Sequence, residues 1–361
     1  MSMKAQGVIS RKAGAPAELE EFVIEDLGPG EVLVKILASG VCHTDLFVKN
    51  GGAGDGFPFL LGHEGAGIIQ EVGPGVEKPR KGDFVILAWR APCGICRFCL
   101  FGQPNLCANS LNAKPRMRSK DGITLNPVLG IGTFCDYTVV HANQAIPVSE
   151  TLPAPQMSLI GCGVMTGVGA ALYTAQVRPG TSVAVIGCGG VGDSVIQGAR
   201  LAGATTIIAV DLDDRKLEWA KGFGATHTVN SSDGNAVEKI KEITGGFGVN
   251  YSFECVGRPV TLDIALWCRD LAGICTIIGV ASADMKIELP MQKYFSLGGS
   301  LRVSWYGDCL PSRDFPLLAS WYQQKQLDLD GLVTRLIKLD ETEEAFHAME
   351  RGETLRSVIT F

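Results

Sequence analysis

Two domains of the α/β class are predicted: a mainly antiparallel β domain early in the chain, then a doubly wound parallel sheet. Length is the first observation behind this, since 361 residues exceed the ~100–200 typical of one domain. The second is a series of short β-type runs punctuated by Gly and Pro, such as GEVLVKILASGVC, LLGHEGAGIIQEVGPGV and GDFVILAW. The third is a change of character near residue 165, where strand and helix patterns begin to alternate.

Pieces such as VLVKIL and FVILAW are strand-length and β-branched, and turn residues bound them. The stretch LNAKPRMRSKDGITLNP is polar and reads as a loop. From TSVAVIG the chain runs through a glycine-rich turn into the helical VGDSVIQGARLAG, then TTIIAVD, then the helical DRKLEWAKGFG. VNYSFECVG and GICTIIGV follow at similar intervals. Such alternation is the signature of a parallel, doubly wound sheet. Beyond about residue 303 the pattern turns irregular and ends in a short helix, ETEEAFHAMERG, and a strand, LRSVITF.

Hydrophobic residues make up 46% and charged ones 19%, which supports two packed cores and argues against disorder. A net charge of −6 with one short basic cluster argues against a duplex-binding module. The N-terminus, MSMKAQGVIS, lacks a charged leader before an apolar core, so no secretory signal is expected. No uninterrupted apolar stretch of the roughly 18–20 residues that span a bilayer is expected either. Twelve cysteines in such a chain point to a reducing, cytoplasmic setting, where they serve more often as metal ligands than as disulfides.

In GCGGVG, Gly187, Gly189 and Gly192 form a G-x-G-x-x-G between the apolar strand SVAVI and a helix. The first glycine permits a tight turn, the second lets backbone approach a pyrophosphate, and the third lets helix pack on strand. The helix N-terminus then offers unpaired N–H groups to the phosphates. Nineteen residues after Gly192, at the end of the next strand, Asp211 stands where an acid grips the adenosine ribose hydroxyls. An acid there repels a 2′-phosphate, so NAD is expected rather than NADP.

Two sets of metal ligands are expected. Cys93, Cys96, Cys99 and Cys107 in APCGICRFCLFGQPNLC supply four thiolates, enough to close a tetrahedral zinc shell, and closed shells are structural. A disulfide clasp and a nucleic-acid zinc knuckle are the rival readings of that run. Cys42 in GVCHTDL, His63 beside Glu64 in LLGHEGAG, and Cys162 in IGCGVMTG are dispersed. Two thiolates and one imidazole leave a fourth corner open, the pattern of a catalytic zinc. Taken singly, each also reads as an ordinary buried cysteine or a satisfied turn histidine.

The stretch GHEGAGIIQEVGPGV resembles the zinc signature of the medium-chain alcohol dehydrogenases, and the remaining landmarks follow in that family's order over the whole chain. The resemblance implies a GroES-like, mainly β catalytic domain (1–164 and 304–361) and a Rossmann NAD-binding domain (165–303). It implies that Cys42, His63 and Cys162 hold the catalytic zinc, with Glu64 able to exchange with water on it, and that the four-cysteine lobe holds the structural zinc. Thr44 resembles the hydroxyl that takes the alcohol proton. His43 and Arg356 resemble pyrophosphate contacts, while Thr166 and Val191 resemble residues that press on the nicotinamide beside the Gly189–Gly190 turn. Many relatives carry a histidine where this chain has Phe47, which cannot ionise. Trp89 and Trp305 occupy positions of substrate-pocket walls. The family also forms dimers and tetramers, so a homo-oligomer is expected, with no nucleic-acid or membrane partner.

Within the family, GVCHTDL, PFLLGHE, GDFVILAWRAPCG, VAVIGCGGVGD and WYGDCLP-x2-DFP are especially similar to the mycothiol-dependent formaldehyde dehydrogenases. That implies oxidation of the hydroxymethyl adduct of formaldehyde with the thiol. The alternatives are a dehydrogenase of simple primary or aromatic alcohols, an NAD(P)H-dependent reductase of the same superfamily, and a metal-stiffened binding protein with a vestigial site. The basic cluster Lys114, Arg116, Arg118 and Lys120 reads either as a solvated loop or as a rim that steers a polar or anionic substrate.

Overall fold

A computed structural model describes residues 3–361. It divides into two compact units: one runs to Cys162 and resumes at Leu310–Phe361, and the other is Gly163–Cys309.

In the first unit, two sheets are built from the short β-branched runs. A seven-stranded sheet is ordered Ala145–Pro147, Phe84–Leu87, Gly65–Val72, Glu31–Gly40, Arg356–Thr360 and Val333–Ile337, with Tyr137–His141 also paired to Glu31–Gly40. A five-stranded sheet is ordered Met117–Ser119, Glu18–Ile24, Met3–Ser10, Phe59–Leu60 and Asn126–Pro127. Neighbours are antiparallel except Val333–Ile337 with Arg356–Thr360 and Phe59–Leu60 with Asn126–Pro127. Glu31–Gly40 is buried along most of its length, including Val32, Val34 and Ile36, because strands cover it on both edges. The C-terminal strand lies antiparallel to it with Val358 opposite Gly40, which carries Arg356 to the end where the Cys42 loop begins.

Part of the predicted loop after the cysteine run is structured. Met117–Ser119 pairs with Glu18–Ile24, and Arg116 and Arg118 pair with Glu31 and Glu25. Two of the four basic charges are therefore held by carboxylates of the sheet. Glu31 is 3% exposed and accepts from the N–H groups of Gly28 (2.7 Å) and Lys114 (3.0 Å) and from Arg116 Nε (2.8 Å). Burial pushes its pKa up, but these donors outweigh it and hold the carboxyl below the ordinary glutamate range. The stabilisation is present above the ordinary value of about 4.3 and lost as pH falls through the depressed one. Replacing Glu31 by Gln should lower stability by about 1.5–3 kcal/mol at neutral pH. In urea unfolding, the gap from wild type should close as the solution is acidified below about pH 4.

The second unit holds a six-stranded, all-parallel sheet ordered His227–Asn230, Thr206–Asp211, Ser182–Ile186, Val249–Glu254, Arg269–Ile277 and Ser300–Val303. Numbered within the unit this is 3-2-1-4-5-6, the doubly wound order whose switch point lies between the first and fourth strands. The helices Gly190–Leu201 and Asp214–Phe223 fall where the apolar periodicity predicts them. The second ends at Gly224, whose φ of 116° suits a glycine C-cap.

One expectation needs correction. The region after residue 303 contains a helix, Pro311–Gln323, with Pro316 inside it. Its buried Phe315, Leu318, Ala319 and Tyr322 follow the i, i+3, i+4, i+7 pattern, which the prolines masked. The helical segment Ala154–Ala175 is long and apolar enough to cross a bilayer, although Gln156, Ser158, Thr166 and Thr174 interrupt its apolar run. Its most apolar window is 78% buried inside the protein, which marks a core helix.

Candidate metal centres and dinucleotide site

Strand Glu31–Gly40 ends one residue before Val41, and Cys42 then caps the helix His43–Lys49 in extended geometry, φ −129° and ψ 153°. Gly62, at φ 91°, sets the next ligands in place; a Cβ there would lie 2.4 Å from the Phe134 backbone nitrogen, so only glycine fits. His63 and Glu64 follow, both fully buried. Cys162 sits in a π-helical turn, Ile160–Val164, an irregularity often found where a helix presents a functional group. One ligand atom from each of Cys42, His63, Glu64 and Cys162 lies within 4.8 Å of the others.

Asp45, which the sequence reading passed over, organises this cluster. It is fully buried. Its Oδ1 accepts from Gly62 N (2.9 Å) and lies 2.9 Å from His63 Nδ1, and its Oδ2 accepts from Cys42 N at 3.3 Å. A carboxylate partner keeps a proton on Nδ1, which leaves Nε2 as the atom a metal can take, and among the described residues that buried nitrogen has no hydrogen-bond partner. The donor set of two sulfurs, an imidazole nitrogen and a carboxylate therefore fits a zinc ion. The local signal in the sequence was an acid three residues after a helix-capping cysteine.

Glu64 accepts from the Arg356 guanidinium through Oε2, while its Oε1 has no hydrogen-bond partner among the described residues. Burial pushes the Glu64 carboxyl up to about 7 against the opposing charge of Arg356. The hydrogen bond from Cys162, followed by the charge of His63, holds the Cys42 thiol well below its ordinary value. The Cys162 thiol is raised in turn. For His63, burial lowers the pKa, but the charges of Asp45 and Cys42 overcome this and leave it well raised, so the metal-free ring holds a second proton that a zinc ion on Nε2 would displace. A Cβ on Gly40 would come within 2.2 Å of Glu64 Oε2, so this ion pair needs a glycine beside it. Substituting Asp45 by Ala should weaken zinc retention at this cluster by about 10- to 100-fold, the usual cost of losing a carboxylate behind a ligating histidine. Competition with a chromogenic chelator measures it.

In the cysteine lobe, Cys96 Sγ lies 3.6 Å from Cys99 Sγ and 3.9 Å from Cys107 Sγ. Sulfurs about 2.3 Å from one zinc ion stand ~3.8 Å apart along a tetrahedral edge. These spacings are too long for a disulfide and suit a shared metal. Backbone N–H groups point at the sulfurs of Cys107 (3.2 Å) and Cys93 (3.4 Å), and N–H donors including that of Cys99 lower the Cys96 thiol to about 6.

In the second unit, Gly187 has φ 96°, and a Cβ on Gly192 would sit 1.9 Å from its carbonyl oxygen. A Cβ on Gly189 would meet nothing within 4 Å, so this N-cap of the helix Gly190–Leu201 borders open space that a phosphate can enter. Asp211 ends its strand with Oδ2 accepting from Cys188 N (2.8 Å) and Oδ1 from Leu212 N (2.8 Å) and Asp213 N (3.1 Å). With about two lone pairs per oxygen, Oδ2 keeps one for a further donor. Thr166 and Val191 are half-buried on adjoining helices, where a Cβ on Gly167 would lie 2.4 Å from the Val191 carbonyl.

The other expected site residues are dispersed. His43 is exposed and Thr44 half-buried on the helix that Cys42 caps. Phe47 is 46% exposed, its ring lying against Gly52. Arg356, expected at the pyrophosphate, has its guanidinium on Glu64 and is 7% exposed. Trp89 packs on the core of the first unit, whereas Trp305 belongs to the second and is 50% exposed.

Residues 28–150 match the alcohol dehydrogenase GroES-like domain and residues 190–324 the zinc-binding dehydrogenase domain. The chain is 37% identical to the alcohol dehydrogenase class-3 of Cereibacter sphaeroides, over 99% of this chain and 100% of that one. The same figures hold for the S-(hydroxymethyl)glutathione dehydrogenase of Paracoccus denitrificans. Among solved structures, the benzyl alcohol dehydrogenase from Acinetobacter calcoaceticus superposes with a TM-score of 0.92 at 32% identity, with 99% of each chain covered. On these matches, and on the fold that accompanies them, the chain belongs to the zinc-dependent medium-chain alcohol dehydrogenase family.

Proposed function

We propose that the chain oxidises a primary hydroxyl to the aldehyde level with NAD, and that its substrate is the hydroxymethyl adduct of formaldehyde with a thiol, mycothiol by the similarity of the quoted stretches. The observation that carries the chemistry is the Cys42, His63 and Cys162 set, with His63 fully buried and held in register by Asp45 so that its Nε2 is left for a metal. When bound, zinc supplies Lewis acidity at this set and the nicotinamide supplies the hydride acceptor.

The chain's own residues do the rest. Asp45 fixes the imidazole tautomer. Glu64, paired with Arg356, is a fourth donor that can turn toward or away from the ligand set. Thr44 takes the hydroxyl proton, and Phe47 offers it no onward titratable group, so the proton leaves by another route. His43 contacts the pyrophosphate, and Thr166 and Val191 hold the nicotinamide face. Trp89 and Trp305 bound the substrate, and Asp211 disfavours NADP. Cys93, Cys96, Cys99 and Cys107 hold a second, structural zinc that stiffens the lobe. The chain assembles as a homo-oligomer; in support, strand Ser300–Val303 is a sheet edge that carries the exposed Val303.

The thiol-adduct assignment draws support from the Paracoccus denitrificans relative, named for the glutathione adduct. A second reading, oxidation of aromatic alcohols, is favoured by the likeness to benzyl alcohol dehydrogenase. The test is NADH production from formaldehyde with mycothiol, formaldehyde with glutathione, benzyl alcohol and ethanol, compared as kcat/KM. Equal or better turnover of the plain alcohols would remove the adduct assignment and leave the dehydrogenase intact.

A further inference from the structure

Three consecutive residues of the second unit, Tyr306 (φ 56°), Gly307 (φ 65°) and Asp308 (φ 50°), adopt left-handed backbone geometry. Asp tolerates this region because its short side chain bonds locally, but Tyr does not favour it, and such strain persists only where the surroundings hold it. Here they do so at two points, Asp308 and Gly307, and a third contact fixes Thr174 itself. Thr174 Oγ1 lies 2.6 Å from Asp308 Oδ2 and 2.8 Å from Ser304 Oγ. Thr174 Oγ1 is the donor to both oxygens, and its single proton goes preferentially to the closer, carboxylate acceptor of Asp308. Arg302 donates to the Thr174 carbonyl at 2.6 Å. Gly307 meets helical backbone directly: a Cβ there would lie 2.4 Å from the Met165 carbonyl and 3.1 Å from that of Thr166, and one on Gly169 would lie 2.3 Å from the Gly307 carbonyl.

The segment is thus clasped onto the helical run that carries Thr166. The residue it frames, Trp305, keeps half its surface exposed, although Ser304 and Tyr306 on either side are buried. We propose that Thr174, Ser304 and Asp308 are positioning residues that lock Trp305 as a rigid wall and so set the size and shape of alcohol the enzyme accepts. The clasp acts through Trp305 and touches no reacting atom. Its link to specificity rests on the dehydrogenase reading above.

Thr174 is 7% exposed, so Thr174→Val removes the hydroxyl at nearly constant volume, and Thr174→Ser restores it. With whichever of benzyl alcohol and the formaldehyde–mycothiol adduct the wild type turns over, T174V should lower kcat/KM by about tenfold or more, chiefly through KM. NADH affinity should be unchanged and T174S should recover most of the loss. In a Trp305→Ala background the same substitution should cost nothing further, because the wall it positions is gone. Separately from turnover, the Trp305 emission, taken as the difference from a Trp305→Phe variant, should become more accessible to acrylamide in T174V. Unchanged quenching, or losses that simply add in the W305A background, would overturn the clasp. Absence of turnover with every alcohol would overturn the dehydrogenase reading alone, since the quenching comparison still decides the clasp.

Discussion

Cys42→Ala should reduce NADH formation from any accepted alcohol by about three orders of magnitude or more. Lewis-acid stabilisation of developing charge on oxygen is worth several kcal/mol, and each ~1.4 kcal/mol is tenfold in rate. Removing Cys42 deletes one of two sulfur donors and exposes His63 Nε2 to a cavity in place of a metal-binding set. The helix His43–Lys49 loses only its capping side chain, because the cap's hydrogen bond to Asp45 comes from the backbone nitrogen. Stability and NADH binding should therefore stay close to wild type while turnover collapses. A binding protein with a vestigial site, or a reductase working without catalytic zinc, would show no such collapse, so steady-state kinetics beside an NADH titration separates the three.

Asp211→Gly should shift the ratio of NAD to NADP specificity constants toward NADP by between about fivefold and several hundredfold. The range is the ~1–4 kcal/mol of repulsion between two like charges about 4 Å apart at the dielectrics of a protein surface. Asp211 also accepts three backbone N–H groups, one of them from Cys188 inside the glycine turn. The glycine variant should thus weaken both cofactors somewhat in addition to changing their ratio. Asp211→Asn, which keeps an acceptor and removes the charge, isolates the electrostatic part. An unchanged ratio in both variants would mean that the acid does not discriminate.

Features legible in the sequence were those encoded within a few residues. The glycine turn, its strand and its helix are one contiguous motif, and the cysteine lobe places four thiols within fifteen positions. The dispersed ligands were different. Cys42 and Cys162 lie far apart in the chain, and only their resemblance to a known order brought them together before the structure did. Residues that act through others gave no local signal. Asp45 reads as an acid in the first turn of a helix, and its contact with His63 depends on how the next loop returns. Arg356 meets Glu64 across 292 positions because the last strand pairs with Glu31–Gly40, a register that no short window contains. The helix Pro311–Gln323 was hidden by its own prolines. The left-handed turn at Tyr306–Asp308 contradicts local preference, so only the packing around it could reveal it.

Metal analysis of the purified protein tests the central claim most directly. Two zinc ions per chain are expected in the wild type and one in the Cys42→Ala variant, with anomalous density between Cys42, His63 and Cys162 in crystals of the wild type. One ion per chain in both proteins, confined to the cysteine lobe, would contradict it.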